Sequence, residues 1–245
     1  MGNKLVHATY TNNGGRRVNE DSLGVFSNGI NNCYILCDGL GGHGMGEVAS
    51  SLVVDVVEDQ FSKTDDAVNF LGYALSASQD ILMAEQKKQN ATKKMKTTAV
   101  GLVTDDRNAY IGHIGDSRAY IFSKNKVKKR TLDHSIPQML ALSKEIKEEE
   151  IRNHPERNMV LRVMGIEWEE NMYELMEPIP LKKCQAFLLC SDGFWELITE
   201  KEMCEQLKNA NSVDEWLRKM IEIVQINGIG KNMDNYTAIA VWNMK

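Results

Sequence analysis

Asp38-Gly39-Leu40-Gly41-Gly42-His43-Gly44-Met45-Gly46-Glu47 is the stretch on which the reading of this chain turns. It follows the apolar run Cys33-Tyr34-Ile35-Leu36-Cys37, which has the length of a buried strand. Beyond Glu47, apolar residues recur at Val48, Leu52, Val53, Val56, Val57 and Phe61, the spacing of one helix face. A carboxylate therefore ends a strand, glycines allow close backbone approach beside it, and a helix begins. Gly39, Gly41 and Gly44 also match G-x-G-x-x-G, the dinucleotide-binding fingerprint. That reading requires strand-helix-strand units through the rest of the chain, and the remaining sequence does not alternate in that way. The GxxxxGK[ST] and HExxH motifs are absent.

Working outward, Leu5 to Tyr10 and Ser22 to Phe26 read as strands on either side of a Gly14-Gly15 turn. A second helix is expected from about Asp65 to Gln89, with Val68, Leu71, Leu75 and Leu82 on one face. Thr97 to Thr104, Ala109 to Ile114 and Arg118 to Phe122 read as consecutive strands, the last leading into a turn at Lys124-Asn125. A charged segment from about Asp133 to Met164 follows, with Pro137 and the run Lys147-Glu148-Glu149-Glu150, which reads as a solvated helix face. Ala186 to Cys190 is a further buried strand, helices are expected over 200–208 and 213–226, and Thr237 to Trp242 is a closing strand. Hairpin-linked strands and paired helices make this an α+β chain with antiparallel sheets, not a doubly wound one.

The 245 residues suit one large domain or two small ones, and 42% hydrophobic with 26% charged residues is ordinary for a soluble globular protein. A net charge of −5 argues against a protein built for nucleic acid, and the basic run Lys124, Lys126, Lys128, Lys129 and Arg130 reads as a solvated hairpin. Five cysteines without a CxxC pair, and no apolar leader at Met1-Gly2-Asn3-Lys4, point to a reducing, cytoplasmic setting. No run approaches the ~18 apolar residues of a membrane span.

Aspartates recur at strand ends beside small residues: Asp21, Asp38, Asp116 in Gly115-Asp116-Ser117-Arg118, Asp192 in Ser191-Asp192-Gly193, and Asp234 before Asn235. A single one is most simply a turn or cap residue. Gathered together, such carboxylates repel one another unless a cation neutralises them, and an all-oxygen set suits Mg²⁺ or Mn²⁺ rather than zinc.

In these blocks the chain resembles the metal-dependent Ser/Thr protein phosphatases (PPM, type 2C). The matching segments occur in order: Arg16-Arg17-Val18-Asn19-Glu20-Asp21, Asp38 to His43, Thr97-Thr98-Ala99, and Gly112-His113-Ile114-Gly115-Asp116-Ser117-Arg118-Ala119-Tyr120. Asp133-His134-Ser135, His154-Pro155-Glu156-Arg157-Asn158, Cys190-Ser191-Asp192-Gly193 and Asp234-Asn235-Tyr236-Thr237 complete the series. The DGxGGH form and the His-Pro-x-x-Asn insert resemble the bacterial branch.

The resemblance implies a four-layer α/β/β/α sandwich forming a single catalytic domain over 1–245, with a flap-like insert at about 133–165. It implies that Asp38 bridges two Mn²⁺ or Mg²⁺ ions, with the Gly39 carbonyl as a further ligand. Asp192 and Asp234 would complete the first ion's ligand set, Glu20 and Asp21 would hold waters around the second ion, and Asp116, sharing Asp192, would bind a third, weaker one. Arg16 would bind the substrate phosphate, five residues before Asp21, and metal-activated water would attack phosphorus without a covalent intermediate. His43 is either a general acid or a brace for its loop. Ser117 and Arg118 are expected to orient the turn of Asp116, and His134 and His154 to fix loop geometry. The partners implied are phosphorylated Ser/Thr proteins and an opposing Ser/Thr kinase, for a monomer bound to neither nucleic acid nor membrane. Lys96 departs from the glycine of many relatives, and Glu196 stands where some eukaryotic relatives have an aspartate. The chain ends soon after Asp234, so no regulatory tail is expected. A catalytically silent phosphoprotein- or kinase-binding module is the rival reading; it predicts loss of Asp38, Asp192 or Asp234, and all three are present.

Overall fold

The computed structural model describes residues 4–41, 44–91 and 94–244. Eleven strands fall into two antiparallel sheets. One contains β1 (Lys4–Asn12), β11 (Tyr236–Met244), β10 (Ala186–Cys190), β6 (Arg118–Ser123) and β7 (Lys126–Arg130), in that spatial order. The other runs β2 (Asp21–Ser27), β3 (Asn32–Asp38), β4 (Ala99–Thr104), β5 (Asn108–Ile114) and β8 (Glu174–Leu175), with β9 (Ile179–Pro180) also on β5. Among the described residues, no strand-helix-strand crossover joins parallel neighbours. β3 leads through two helices, α1 (Gly46–Phe61) and α2 (Phe70–Lys88), to an antiparallel β4, so the dinucleotide fingerprint has no fold behind it.

The strand sequences explain the layers. β4 and β10 are buried at every position and read as unbroken apolar runs because both sheet faces are covered. Alternate residues still choose sides. Cys33, Ile35 and Cys37 of β3 pack under α1 and α2, while Tyr34 and Leu36 face the opposite sheet. Ala186, Leu188 and Cys190 of β10 pack under α5 (Glu200–Asn209) and α6 (Val213–Gly228), while Phe187 and Leu189 point between the sheets. Three apolar layers thus separate four structural ones. Burying each large aliphatic or aromatic side chain in them contributes about 1.5–3 kcal/mol.

Local chemistry sets the helix ends. Thr199 and Glu202 form a capping box at the start of α5, and the Ser212 hydroxyl accepts from the Glu215 amide at the start of α6. The second helix starts at Phe70 rather than near Asp65. Val68, expected on its apolar face, lies ahead of the first turn and is exposed. The Asp133–Gly165 segment folds as α3 (Ile136–Leu142) and a 3₁₀ turn over Glu148–Asn153. It is fastened to the body where Thr97 bridges Met164. Between Asp192 and Trp195 the chain makes one helical turn, α4.

Candidate metal centre

The topology brings the strand-end aspartates to one end of both sheets. Asp21 opens β2 and Asp38 closes β3, and the register sets them opposite each other. From the other sheet, Asp192 follows β10 and Asp234 precedes β11, the two strands being hydrogen-bonded neighbours. Asp116 sits in the turn between β5 and β6, after Gly115, whose φ of +101° a side-chain-bearing residue adopts only with strain.

Glycines set the spacing of the cluster. A Cβ on Gly39 would lie 2.3 Å from the Gly46 carbonyl oxygen and 2.6 Å from that of Glu20. On Gly193 it would lie 2.2 Å from the Asn235 carbonyl, so the glycine lets the turns bearing Asp192 and Asp234 meet. Gly41 clears space for the Glu20 carboxylate, which would stand 1.7 Å from any Cβ there. The glycine run of the opening stretch therefore packs acidic loops together rather than cradling a dinucleotide phosphate. Gly42 and His43 lie outside the described residues, which leaves the two readings of His43 as they stood.

Polar side chains fasten the loops. The Ser191 hydroxyl donates to Asp21 Oδ2 at 2.9 Å and accepts from the Thr237 amide at 3.0 Å. Asn235 Oδ1 accepts from the Glu20 amide, and its Nδ2 donates to the carbonyls of Asn13 and Val18, tying the Arg16–Asp21 segment to the start of β11. The Thr98 hydroxyl hydrogen-bonds Ser117 and accepts from the Asp38 amide, joining the turn of Asp116 to β3. The Gly115 amide donates to His134 Nδ1, and its carbonyl accepts from the His134 amide. Trp195 Nε1 donates to the Asp116 carbonyl at 3.0 Å. Glu47, in the first turn of α1, faces Glu20, and Glu196 accepts from Arg157 Nε at 3.1 Å. Asn235, Ser191 and Glu47 were not marked by sequence reasoning, although all three stand inside the quoted blocks. Two acidic positions near each other in the fold but 27 apart in sequence carry no local signal.

The electrostatics are one-sided. Burial, then Asp21, Asp192, Asp116 and Asp234, push the Asp38 carboxyl well above its usual range. Burial and the charges of Asp116 and Glu196 do the same for Asp192. Burial raises Asp21 to about 6 and Asp116 to about 7. Glu20 is raised by burial and by Glu47. Asp21 Oδ1 is buried with no hydrogen-bond partner. Arg16 Nη2 donates to Asp234 Oδ2 at 2.8 Å, an exposed pair at the rim, and deeper in, the Arg118 charge offsets only part of what burial and Asp133 do to Asp116. An orphaned carboxylate oxygen within a surplus of carboxylates, all hard oxygen donors, fits divalent cations of the Mg²⁺ or Mn²⁺ kind.

A second potential ligand group, His113, His134 and Glu174, has ligand atoms within 4.8 Å of one another. Its imidazoles stack at 4.7 Å and 20°, so their in-plane lone pairs do not converge on one ion. His134 Nδ1 already accepts from Gly115, which places its proton on Nε2.

The comparisons agree with this geometry. Residues 13–236 match the family model described as protein phosphatase 2C. A Listeria monocytogenes protein named serine/threonine phosphatase stp is 30% identical over 96% of this chain and 95% of its own. The crystal structure of serine/threonine phosphatase Stp1 from Staphylococcus aureus superposes with a TM-score of 0.91 at 28% identity, covering 100% of this chain and 97% of that one. The catalytic domain of PstP in complex with two manganese ions matches with a TM-score of 0.81 at 26% identity, over 98% and 99% of the two chains. The chain belongs to the protein phosphatase 2C family, the metal-dependent protein phosphatases.

Proposed function

We propose that the acidic cleft holds two Mn²⁺ or Mg²⁺ ions and hydrolyses phosphoserine and phosphothreonine in protein substrates by direct displacement with water. The chain is a divalent-metal-dependent serine/threonine protein phosphatase by its family and relatives. The observation that carries the proposed site is the convergence of Asp21, Asp38, Asp116, Asp192 and Asp234 at one sheet end, with Asp21 Oδ1 unpartnered. Asp38 faces all four other aspartates and is the natural bridging ligand; Asp192 and Asp234 share its neighbourhood, and the Gly39 carbonyl lies one residue on. Glu20 and Asp21 would hold waters at the second ion, and Asp116, whose charge acts on Asp192, would serve a third ion. Such ions, when bound, lower the pKa of water and take up charge developing at phosphorus.

Arg16 stands at the rim, 45% exposed, with a guanidinium fork suited to two phosphate oxygens. Its pairing with Asp234 links phosphate binding to the ligand set: with Asp234 engaged as a metal ligand, the Arg16 guanidinium would be free to bind substrate. No cysteine is needed as nucleophile. Cys33, Cys37 and Cys190 are buried in strands, and burial pushes their thiols up, away from thiolate.

Residues 1–245 act as one catalytic domain, with the 133–165 insert beside the cleft, touching it through Arg157 and Glu196, and contributing substrate contacts. An opposing Ser/Thr kinase, a monomeric state and a cytoplasmic setting belong to the same reading. No helix among the described residues is long and apolar enough to cross a membrane. The silent-module alternative has no support in a chain that keeps every aspartate among relatives named as phosphatases.

The test is phosphate release from a phosphothreonine peptide with Mn²⁺, with Mg²⁺ and with chelator. Metal-dependent release is expected. A folded protein that releases no phosphate with either ion would refute the reading.

A further inference from the structure

At the end of the five-stranded sheet away from the aspartates, a cavity of about 1210 Å³ opens beneath the first turn of α6. From Tyr236, next to the cleft, to Trp242 in this cavity is six residues of β11, about 20 Å at ~3.4 Å per residue. The cavity runs from the β6–β7 hairpin past the residues that precede β10 to Val6 and His7 on the edge strand β1. Four strand spacings of ~4.8 Å make this a trough about 19 Å long, the reach of an extended segment of about six residues.

Its charge runs against that of the whole chain, which is −5. Lys124, Lys128, Lys182 and Lys183 line it, all exposed, and Asp214 is the one carboxylate among its described lining residues. The lysines that form ion pairs among the described residues are Lys63, Lys88, Lys147 and Lys219, none of them in the trough. The start of α6 adds the positive end of a 16-residue helix. Side-chain hydrogen bonds brace the wall. Gln185 and Asn125 bond each other twice, and Asn243 donates to the carbonyls of Leu181 and Cys184. Trp242, half-buried and set edge-on to Trp216 at 6.5 Å, gives the floor an apolar spot.

We propose that this trough docks an extended acidic peptide segment of a partner protein, with carboxylates along the lysines and one apolar side chain over Trp242. Lysines spaced along a trough are separate point charges and suit successive carboxylates. A compact phosphate group calls for an arginine fork or a nest of amides, and no arginine is among the described residues that line the cavity. Docking there does not depend on the metal chemistry. It rests on the phosphatase reading only for its consequence, that a substrate carrying such a segment is held while its phosphorylated site reaches the cleft.

The experiment uses the full chain loaded with Mn²⁺ and a fluorescein-labelled Glu-Glu-Leu-Glu-Glu-Glu peptide, read by fluorescence anisotropy. Saturable binding is expected, weakened about tenfold or more in a Lys182→Glu/Lys183→Glu variant, equivalent to about 1.4 kcal/mol. Hydrolysis of p-nitrophenyl phosphate by that variant should stay within about twofold of wild type, since an exposed charge this far from the cleft is largely screened. A Lys124→Glu/Lys128→Glu variant, on a different element, repeats the test should the first pair fail to fold. Absence of binding, or unchanged affinity in both variants, would overturn the proposal. Displacement of the peptide by inorganic phosphate at matched ionic strength would also overturn it, in favour of a small-anion pocket. Peptide binding without any aryl phosphate turnover would instead indict the phosphatase reading and leave the docking site standing.

Discussion

Two buried charge clusters meet near Trp195, and they are built on opposite plans. In one, Arg118 Nε and Nη2 donate to the two oxygens of Asp133 at 2.8 and 2.6 Å. Arg118 also donates to Tyr120 Oη and lies 3.4 Å over the Trp195 ring, and Arg130 adds a second cation at 3.3 Å from Asp133. Both members of the central pair are 3% exposed or less, and every charge has a partner. In the other, Asp21, Asp38, Asp116 and Asp192 share one sign, keep access to the surface through Asp38 and Asp192, and leave Asp21 Oδ1 unpaired. A closed network of opposite charges is architecture, whereas a like-charged, open one costs stability and persists where something else supplies the missing charge.

Breaking each cluster should therefore hurt a different property. The largest effect is expected from Asp38→Ala, which should lower kcat/KM on a phosphothreonine peptide by at least about 10³-fold, the several kcal/mol a metal site supplies. Its thermal midpoint in chelator should not fall, because a repelling carboxylate has been removed. Arg118→Met should do the reverse, destabilising the fold by about 3–5 kcal/mol in denaturant titration by leaving Asp133 buried and unpaired.

The seam between the clusters sharpens the comparison through pH. Burial, with His113 beside it, holds the His134 imidazole down to about 4. The unfolded chain binds its proton near pH 6.5, so between pH 6.5 and 4 the unfolded state carries more protons and stability is lost as pH falls. Relative to His134→Asn, which keeps an acceptor for the Gly115 amide, wild type should lose about 3 kcal/mol across that window. A parallel pH dependence of the two proteins would refute this assignment. The smallest effect is expected from Arg16→Lys, about tenfold in kcat/KM on the peptide, since lysine keeps the charge but not the fork.

Much of this was legible in the chain. Cys33–Cys37 followed by Asp38-Gly39, and Phe187–Cys190 followed by Ser191-Asp192, already carry the pattern of buried strands ending in carboxylates, and the order of helices and strands matches the four layers. Other features left no trace for a physical reason. β8 and β9 have two residues each, too short to show a period. Arg130 was placed with a solvated lysine run, yet it is mostly buried, bonded to Asp133, Gln138 and Glu148. Its partner Glu148 is exposed, as a solvated face requires. The pairing depends on a fold-back of 18 residues that no local pattern encodes. Asn235 reads as a turn residue after Asp234, and only tertiary structure shows it holding the Glu20 amide. Local periodicity reports which face a residue occupies; it does not report which distant loop that face will meet.

Catalysis by this chain requires the like-charged cluster to be a cation site. Calorimetric titration of the chelator-treated protein with Mn²⁺, wild type beside Asp38→Ala, tests it most directly. At least two ions per chain should bind to wild type and raise its thermal midpoint, with both effects largely lost in the variant. Equal binding by the two proteins, or none by folded wild type, would show that the aspartate cluster is not a cation site.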